Sequence, residues 1–470
     1  MKIEEYPISE IIKRARLGRK AIYPLIQKYG RFSLHGSNIY SLNKRFHDLD
    51  DILLIPPQFT PLRLKKAMDL VFREPVFFDV DLKTNIGGFD VNLPLIQASM
   101  GSQDDWNKIA IFSAKACAEY GIICGIGENV STTWGYDKRK NPKQPSFLER
   151  ALAYLENLNE KGGLVIQQNE EEAFDELWNK IYSDKRFDHF IQEGKIAFEI
   201  KAGKGAKPGL VGEKIVSREE ALKLKSKYYI YPDPEKVDAE YYERHSSPDI
   251  FTEEILEYRI KKLRNDYPRV KIWVKTGPYR DIDKVIEISY KAGAHCVVID
   301  GKEGGTGMSP TVALQELGFP TIVCLAAIRR AKMNGMNISL VISGRLYNGS
   351  HLVKSLALNA NGIAMGRPFL IASYAYPFSA TILKRELYKN RFLGYLIDNF
   401  FHPNEKSIIF VKNFIESIKV EAQMIISSLG KYNISDLNSE DVVALNRDLA
   451  KMLKIKYIYD FFDQENLFIK

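Results

Sequence analysis

Two neighbouring segments, ISGRLYNGSHLVKSLALNA (342–360) and GIAMGRPFL (362–370), hold the residue types that bind a phosphate. Each passes from an apolar run into a glycine, and Gly344 and Gly366 let backbone N–H groups approach a ligand that a side chain would hold off. Arg345 or Arg367 adds a charge-assisted bond, and a helix start at the Asn/Ser-rich turn adds its dipole. Just upstream, DGKEGGTGMSP (300–310) has four glycines, Gly304 and Gly305 among them, and reads as a wall for the ring system attached to that phosphate.

Lys275 closes the apolar run KIWVK, which predicts that its ammonium is held inward and not solvated. A cation about 4 Å from a developing negative charge is worth on the order of 4 kcal/mol at an effective dielectric near 20. Glu128, in GIGENVS, reads either as an acid/base or ammonium-binding group or as an ordinary loop carboxylate. Lys201, Lys204 and Lys207, in EIKAGKGAKPG, read either as a trap for a carboxylate substrate or as solvated loop lysines. The seven histidines show no HxxxH or HxxH spacing, so no metal site is expected.

These residues need a scaffold, and the chain repeats one. Short β-branched runs recur at 93–99, 121–127, 163–168, 195–201, 271–275, 295–301, 339–344 and 362–366, with helical periodicity between most of them. Eight such strands with crossover helices predict an α/β fold, a (β/α)8 TIM barrel, rather than a doubly wound sheet. The predicted organisation is an N-terminal helical and hairpin extension (1–90), the barrel (91–370) with a long insertion at about 202–269, and a C-terminal helical region (371–470). The insertion leaves the C-terminal end of a strand, the end at which barrel enzymes hold their chemistry, and so reads as a substrate-covering loop.

Composition narrows the partners. The chain has 470 residues, 45% apolar and 27% charged, which excludes disorder, collagen and a disulfide scaffold. Its formal charge of +8 is spread along the chain and points to a phosphate-bearing ligand rather than nucleic acid. Four scattered cysteines form no CxxC pair. With no signal peptide and no run of about 18 apolar residues, the expected location is cytoplasmic, away from membranes.

Taken together, RFHDLDDILLIPPQF, PLIQASMGSQ, GIGEN, EIKAGKGAKPG, SPDIFTEEIL, VKTG, IDGKEGGTGMSP and the two phosphate segments resemble the glutamate synthase-like family of FMN-binding barrels, especially its compact archaeal type. The motifs run in family order over roughly two thirds of the chain, from about Arg45 to Leu370. The resemblance implies FMN across the barrel mouth, with Ala98, Ser99 and Met100 under the isoalloxazine ring and Lys275 at its pyrimidine edge. It places Gly304 and Gly305 beside the ring, and Ser343, Gly344, Arg345, Gly366 and Arg367 around the phosphate. It also implies reductive amination of 2-oxoglutarate through 2-iminoglutarate, with Glu128 serving the ammonia or imine and Lys207 the substrate carboxylates. Electrons would come from an external donor.

The sequence departs from the family in places. No cysteine follows the eighth run, in IASYAYPFSATILKRELYKN, so no iron-sulfur cluster is expected in this chain. The family's GEGG loop is GENV here, and Lys204 stands where a glutamine precedes GAKPG. No cysteine lies near the N-terminus to serve a glutaminase, so ammonia would come free or from a partner protein. The phosphate loops also look like those of type 2 isopentenyl diphosphate isomerases and hydroxy-acid oxidases, and a catalytically degenerate FMN-binding subunit is a further alternative.

Overall fold

A computed structural model describes residues 7–21, 48–101, 104–128, 145–169, 176–209, 213–226, 228–304, 316–375 and 404–461. Eight parallel strands close into a barrel: β1 (Leu95–Met100), β2 (Ile123–Ile126), β3 (Leu164–Gln168), β4 (Ile196–Ala202), β5 (Lys271–Thr276), β6 (Cys296–Asp300), β7 (Ser339–Ser343) and β8 (Gly362–Met365). Each matches one of the eight runs. β8 pairs with β1 and β4 with β5, so the sheet has no open edge.

A helix follows every strand: α1 (Asp104–Tyr120), α2 (Phe147–Leu155), α3 (Leu177–Ser183), α4 (Glu253–Asp266), α5 (Ile282–Lys291), α6 (Thr321–Met333), α7 (Gly349–Ala357) and α8 (Arg367–Ser373). Local chemistry sets several of their starts. Ser146 and Glu149 form a reciprocal capping box at α2, Thr252 accepts from Ile255 N at α4, and Asn348 accepts from His351 N at α7.

Side chains of a strand alternate between faces, so every second residue points into the barrel. Ile96, Ala98, Ile123, Val165, Ala197, Trp273, Cys296, Val298, Val341 and Ala364 form that inner core. It continues into Ile86, Phe89 and Val91 of an antiparallel hairpin, Thr84–Ile86 with Phe89–Val91, that plugs the N-terminal end of the barrel. Trp273 Nε1 donates to Gly87 O at 3.1 Å, and Ser339 Oγ accepts from Gly87 N at 2.8 Å. That end of the barrel is thus closed by the hairpin, and the C-terminal mouth lies at the other end.

The connection from β4 to α4 builds a small lobe. Lys214–Val216, Tyr242–His245 and Tyr229–Tyr231 form an antiparallel sheet with Tyr242–His245 in the middle, and helix Arg218–Leu224 packs over Val216, Ile230 and Tyr242. Helix Ile8–Leu17 packs on the long helix Lys406–Ser428, which lies across α1, α7 and α8. The C-terminal region also supplies a strand, Val442–Ala444, that pairs antiparallel with Ile52–Leu54.

Candidate functional site at the barrel mouth

The strand register places polar residues where the inner core stops. Above Ala197 and Trp273 the inward positions become Glu199 and Lys201 on β4, Gln167 on β3, Lys275 on β5 and Asp300 at the end of β6. Lys275 is 6% exposed, with Nζ 3.4 Å from Asp300 Oδ2 and 3.5 Å from Ser99 O. Burial favours loss of its proton, but the surrounding acidic groups, Asp300 foremost, outweigh burial and hold its pKa above the ordinary lysine value. The inward, charged lysine expected from the sequence is therefore present.

Glu128 is paired with Lys201 through Oε1 and Nζ. Burial alone would raise its pKa, and the Lys201 ammonium outweighs that and lowers it, so the group is a carboxylate. Lys204 makes a second buried pair, with Nζ 2.9 Å from Asp249 Oδ2. Lys207 donates to a backbone oxygen, that of Lys302. Burial pushes its pKa down to about 8. Glu303, Asp300 and Arg367 also act on its charge, which places Lys207 between the β6 and β8 loops.

Close backbone packing shapes the rest of the mouth. A Cβ on Gly127 would stand 2.2 Å from the Met100 carbonyl carbon, and one on Gly366 3.2 Å from Met100 Sδ. Gly344 has φ +135°, and a Cβ there would meet Thr321 Oγ1 at 2.1 Å. Arg345 follows in the left-handed region at φ +52°. Gly301 N donates to Ser343 O and Gly304 N to Gly301 O, so the β6 and β7 loops lie side by side. Ala98 faces the barrel interior, Arg345 is half-buried and Arg367 is exposed at the start of α8. Gly305 lies outside the described residues.

The helix start expected to help a phosphate is not open at α7. Asn348 caps it, and Gly349 N donates to Glu421 Oε2, which also contacts Arg14 at 2.5 Å. The start of α6 is likewise taken, by Glu303 Oε2, which accepts from Thr321 N at 2.7 Å and Thr321 Oγ1 at 2.6 Å.

Sequence reasoning missed Glu199, Gln167, Asp249 and Asp300 as members of the mouth. Two of them had a legible signal: Glu199 stands at the inward position before Lys201, and Asp300 immediately precedes the glycine run. Gln167 Oε1 is fully buried and has no hydrogen-bond partner among the described residues. The Lys275 ammonium beside the Ser99 carbonyl at the mouth suits a planar ligand that presents both N–H and C=O groups along one edge, as an isoalloxazine does. The residues present thus fit FMN.

The fold is a closed (β/α)8 barrel, and solved structures share it. The flavin-binding domain of baker's yeast flavocytochrome b2 superposes with a TM-score of 0.50 at 16% identity, covering 86% of this chain and 78% of that one. A flavocytochrome b2 variant with pyruvate bound gives 0.51 at the same identity and coverage. At such identity the likeness shows the fold.

Residues 188–375 match the family described as the conserved region in glutamate synthase. A glutamate synthase large subunit-like protein of Rhizobium meliloti is 29% identical over 289 residues, 55% of this chain and 61% of that protein. Archaeal-type glutamate synthase [NADPH] of Dehalococcoides mccartyi is 33% identical over 39% of this chain and 36% of its own length. The archaeal glutamate synthase [NADPH] of Methanocaldococcus jannaschii is 30% identical over the same shares. The chain thus spans less than two thirds of each of these relatives. The resemblance to the glutamate synthase-like family of FMN-binding barrels is borne out.

Proposed function

We propose that the protein is an FMN-dependent oxidoreductase that aminates 2-oxoglutarate reductively to glutamate through 2-iminoglutarate, with electrons from a separate donor. The observation that carries this reading is Lys275. It is a buried ammonium, kept charged by Asp300 and directed to the mouth of a stoppered barrel, in a chain whose residues 188–375 match glutamate synthase.

FMN, when bound, supplies the hydride. Lys275 would stabilise negative charge on the flavin's pyrimidine edge. Ala98, Ser99 and Met100 would lie under the ring, Gly304 beside it, and Ser343, Gly344, Arg345, Gly366 and Arg367 would hold the phosphate. Lys207, in its cationic form, binds a substrate carboxylate. The ionised Glu128, with Lys201 beside it, accepts N–H bonds from ammonia or the imine and excludes water from that side. Ammonia arrives free or from a partner protein, electrons come from a separate donor, and the setting is cytoplasmic, with no iron-sulfur cluster in this chain.

The test is anaerobic. The purified protein is loaded with FMN, reduced, and mixed with 2-oxoglutarate and ammonium. Flavin reoxidation matched by glutamate formation supports the reading, whereas bound flavin indifferent to both substrates removes the glutamate chemistry.

A further inference from the structure

Four carboxylates are buried around the mouth, and three of them touch an ammonium: Glu128 meets Lys201, Asp249 meets Lys204 and Asp300 meets Lys275. Glu199 is the exception. Its Oε1 accepts from Ser99 Oγ at 2.9 Å and from Gln167 Nε2 at 2.8 Å, two neutral donors. Among the described residues no cation lies within ion-pair distance of it, although the residue is only 2% exposed. An ionised carboxylate in that position keeps most of its desolvation penalty.

The cations nearby are engaged elsewhere. Lys275, which acts on Glu199 from β5, makes its ion pair with Asp300, and Lys201 makes its own with Glu128.

We propose that Glu199 stands in the folded protein as a neutral carboxylic acid. It is then a positioning residue: it orients the Ser99 hydroxyl and the Gln167 amide beneath Lys275 without drawing on the lysine's charge. The groups facing it are Ser99 from β1, Gln167 from β3, Lys275 from β5, and Asp300 and Cys296 from β6. Burial raises its pKa and Asp300 adds to the rise, while Lys275, Ser99 and Gln167 offset only part of it. Such a group contributes stability that is fully present below the unfolded carboxyl value and is lost as pH rises through the folded value. Glu199→Gln keeps the acceptor oxygen and cannot titrate.

Infrared difference spectra of the purified full chain at neutral pH, wild type minus Glu199→Gln, read the proton directly. A carboxylic-acid C=O band that shifts in D2O and is missing from the variant is the expected result. If the wild type lacks the band, or the variant retains it, Glu199 is ionised and the proposal is overturned. Should the variant not fold, alkaline titration of the wild-type band decides, because a neutral acid must be present at pH 7 and disappear on raising the pH.

The flavin consequence rests on the function proposed above. Glu199→Gln should hold FMN within about threefold of wild type at pH 7, whereas loss of a needed negative charge would change the affinity by about tenfold or more. A protein that takes up no FMN at all counts against the flavin reading and leaves the infrared result standing.

Discussion

Lys204 Nζ lies 2.9 Å from Asp249 Oδ2, with the two side chains 6% and 3% exposed. The contact joins the glycine-rich loop after β4 to the segment that returns from the small lobe into α4. It is an ion pair in close approach rather than an aligned hydrogen bond, since Asp249 Oδ2 has no partner of good geometry. Asp249 itself sits in the left-handed region at φ +49°, with its N–H donated to Ser247 Oγ. Tyr279 OH accepts from Lys204 N at 2.9 Å and fixes the loop from the other side.

Removing one member of that pair leaves an uncompensated buried charge. Asp249→Asn should therefore destabilise by about 3–5 kcal/mol, while Lys204→Gln combined with Asp249→Asn should be far milder than the two single changes added together. Urea denaturation of the four proteins measures the coupling, and strictly additive losses would show that the pair is not a unit.

Lys275 is expected to act on the chemistry rather than on the fold. In the FMN-loaded protein, Lys275→Met should lower kcat by roughly 100- to 1000-fold through the loss of charge stabilisation in a dry site. Single-turnover flavin reoxidation is the appropriate readout. Unchanged turnover with intact flavin absorbance would assign the stabilising charge to another residue.

Lys207 gives the pH dependence a sign. Its pKa of about 8 lies below the ordinary lysine value of 10.5, so between those values the folded state binds fewer protons than the unfolded chain. Folding stability of the substrate-free protein should rise with pH across that window and be lost as pH falls through about 8. Affinity for a dicarboxylate should move oppositely, weakening above about pH 8 as the ammonium is titrated away. Calorimetric titration with 2-oxoglutarate from pH 7 to 9.5 checks this, with Lys207→Met expected to bind weakly and without that slope.

The barrel stopper can be probed at one atom. Gly87 has φ +55°, and a Cβ there would lie 2.5 Å from the Trp273 ring, whereas Gly335 at φ +78° has open space around it. Gly335→Ala should cost about 1 kcal/mol from backbone conformation alone. Gly87→Ala adds a core clash and should cost roughly 1–3 kcal/mol more. Thermal melts of the two variants separate the contributions, and equal losses would mean that the hairpin yields to the indole.

The barrel was legible because its signals are local. A strand such as HCVVIDG announces itself by β-branched residues within a single window, and a helix such as 349–357 by its Asn348 cap and apolar period. Lys275 could be placed at the mouth for the same reason, since it directly ends an apolar strand. Period two then determines that Glu199 and Lys201 share the inward face with Lys275 once the strands are known.

Which charges meet across the mouth was not legible. Glu128 finds Lys201, Asp249 finds Lys204 and Asp300 finds Lys275 only after eight strands have closed in register. Lysines 201, 204 and 207 look alike in the sequence, yet two pair with carboxylates and the third donates to a backbone carbonyl. Glu303 on Thr321 and Glu421 on Gly349 fill helix starts that a sequence reading leaves open. Sequence by itself determined the elements and the chemistry they could carry, because propensity and periodicity act over a few residues. Only the tertiary structure decided the pairing and protonation of the buried charges, because both depend on distance and on exclusion of water.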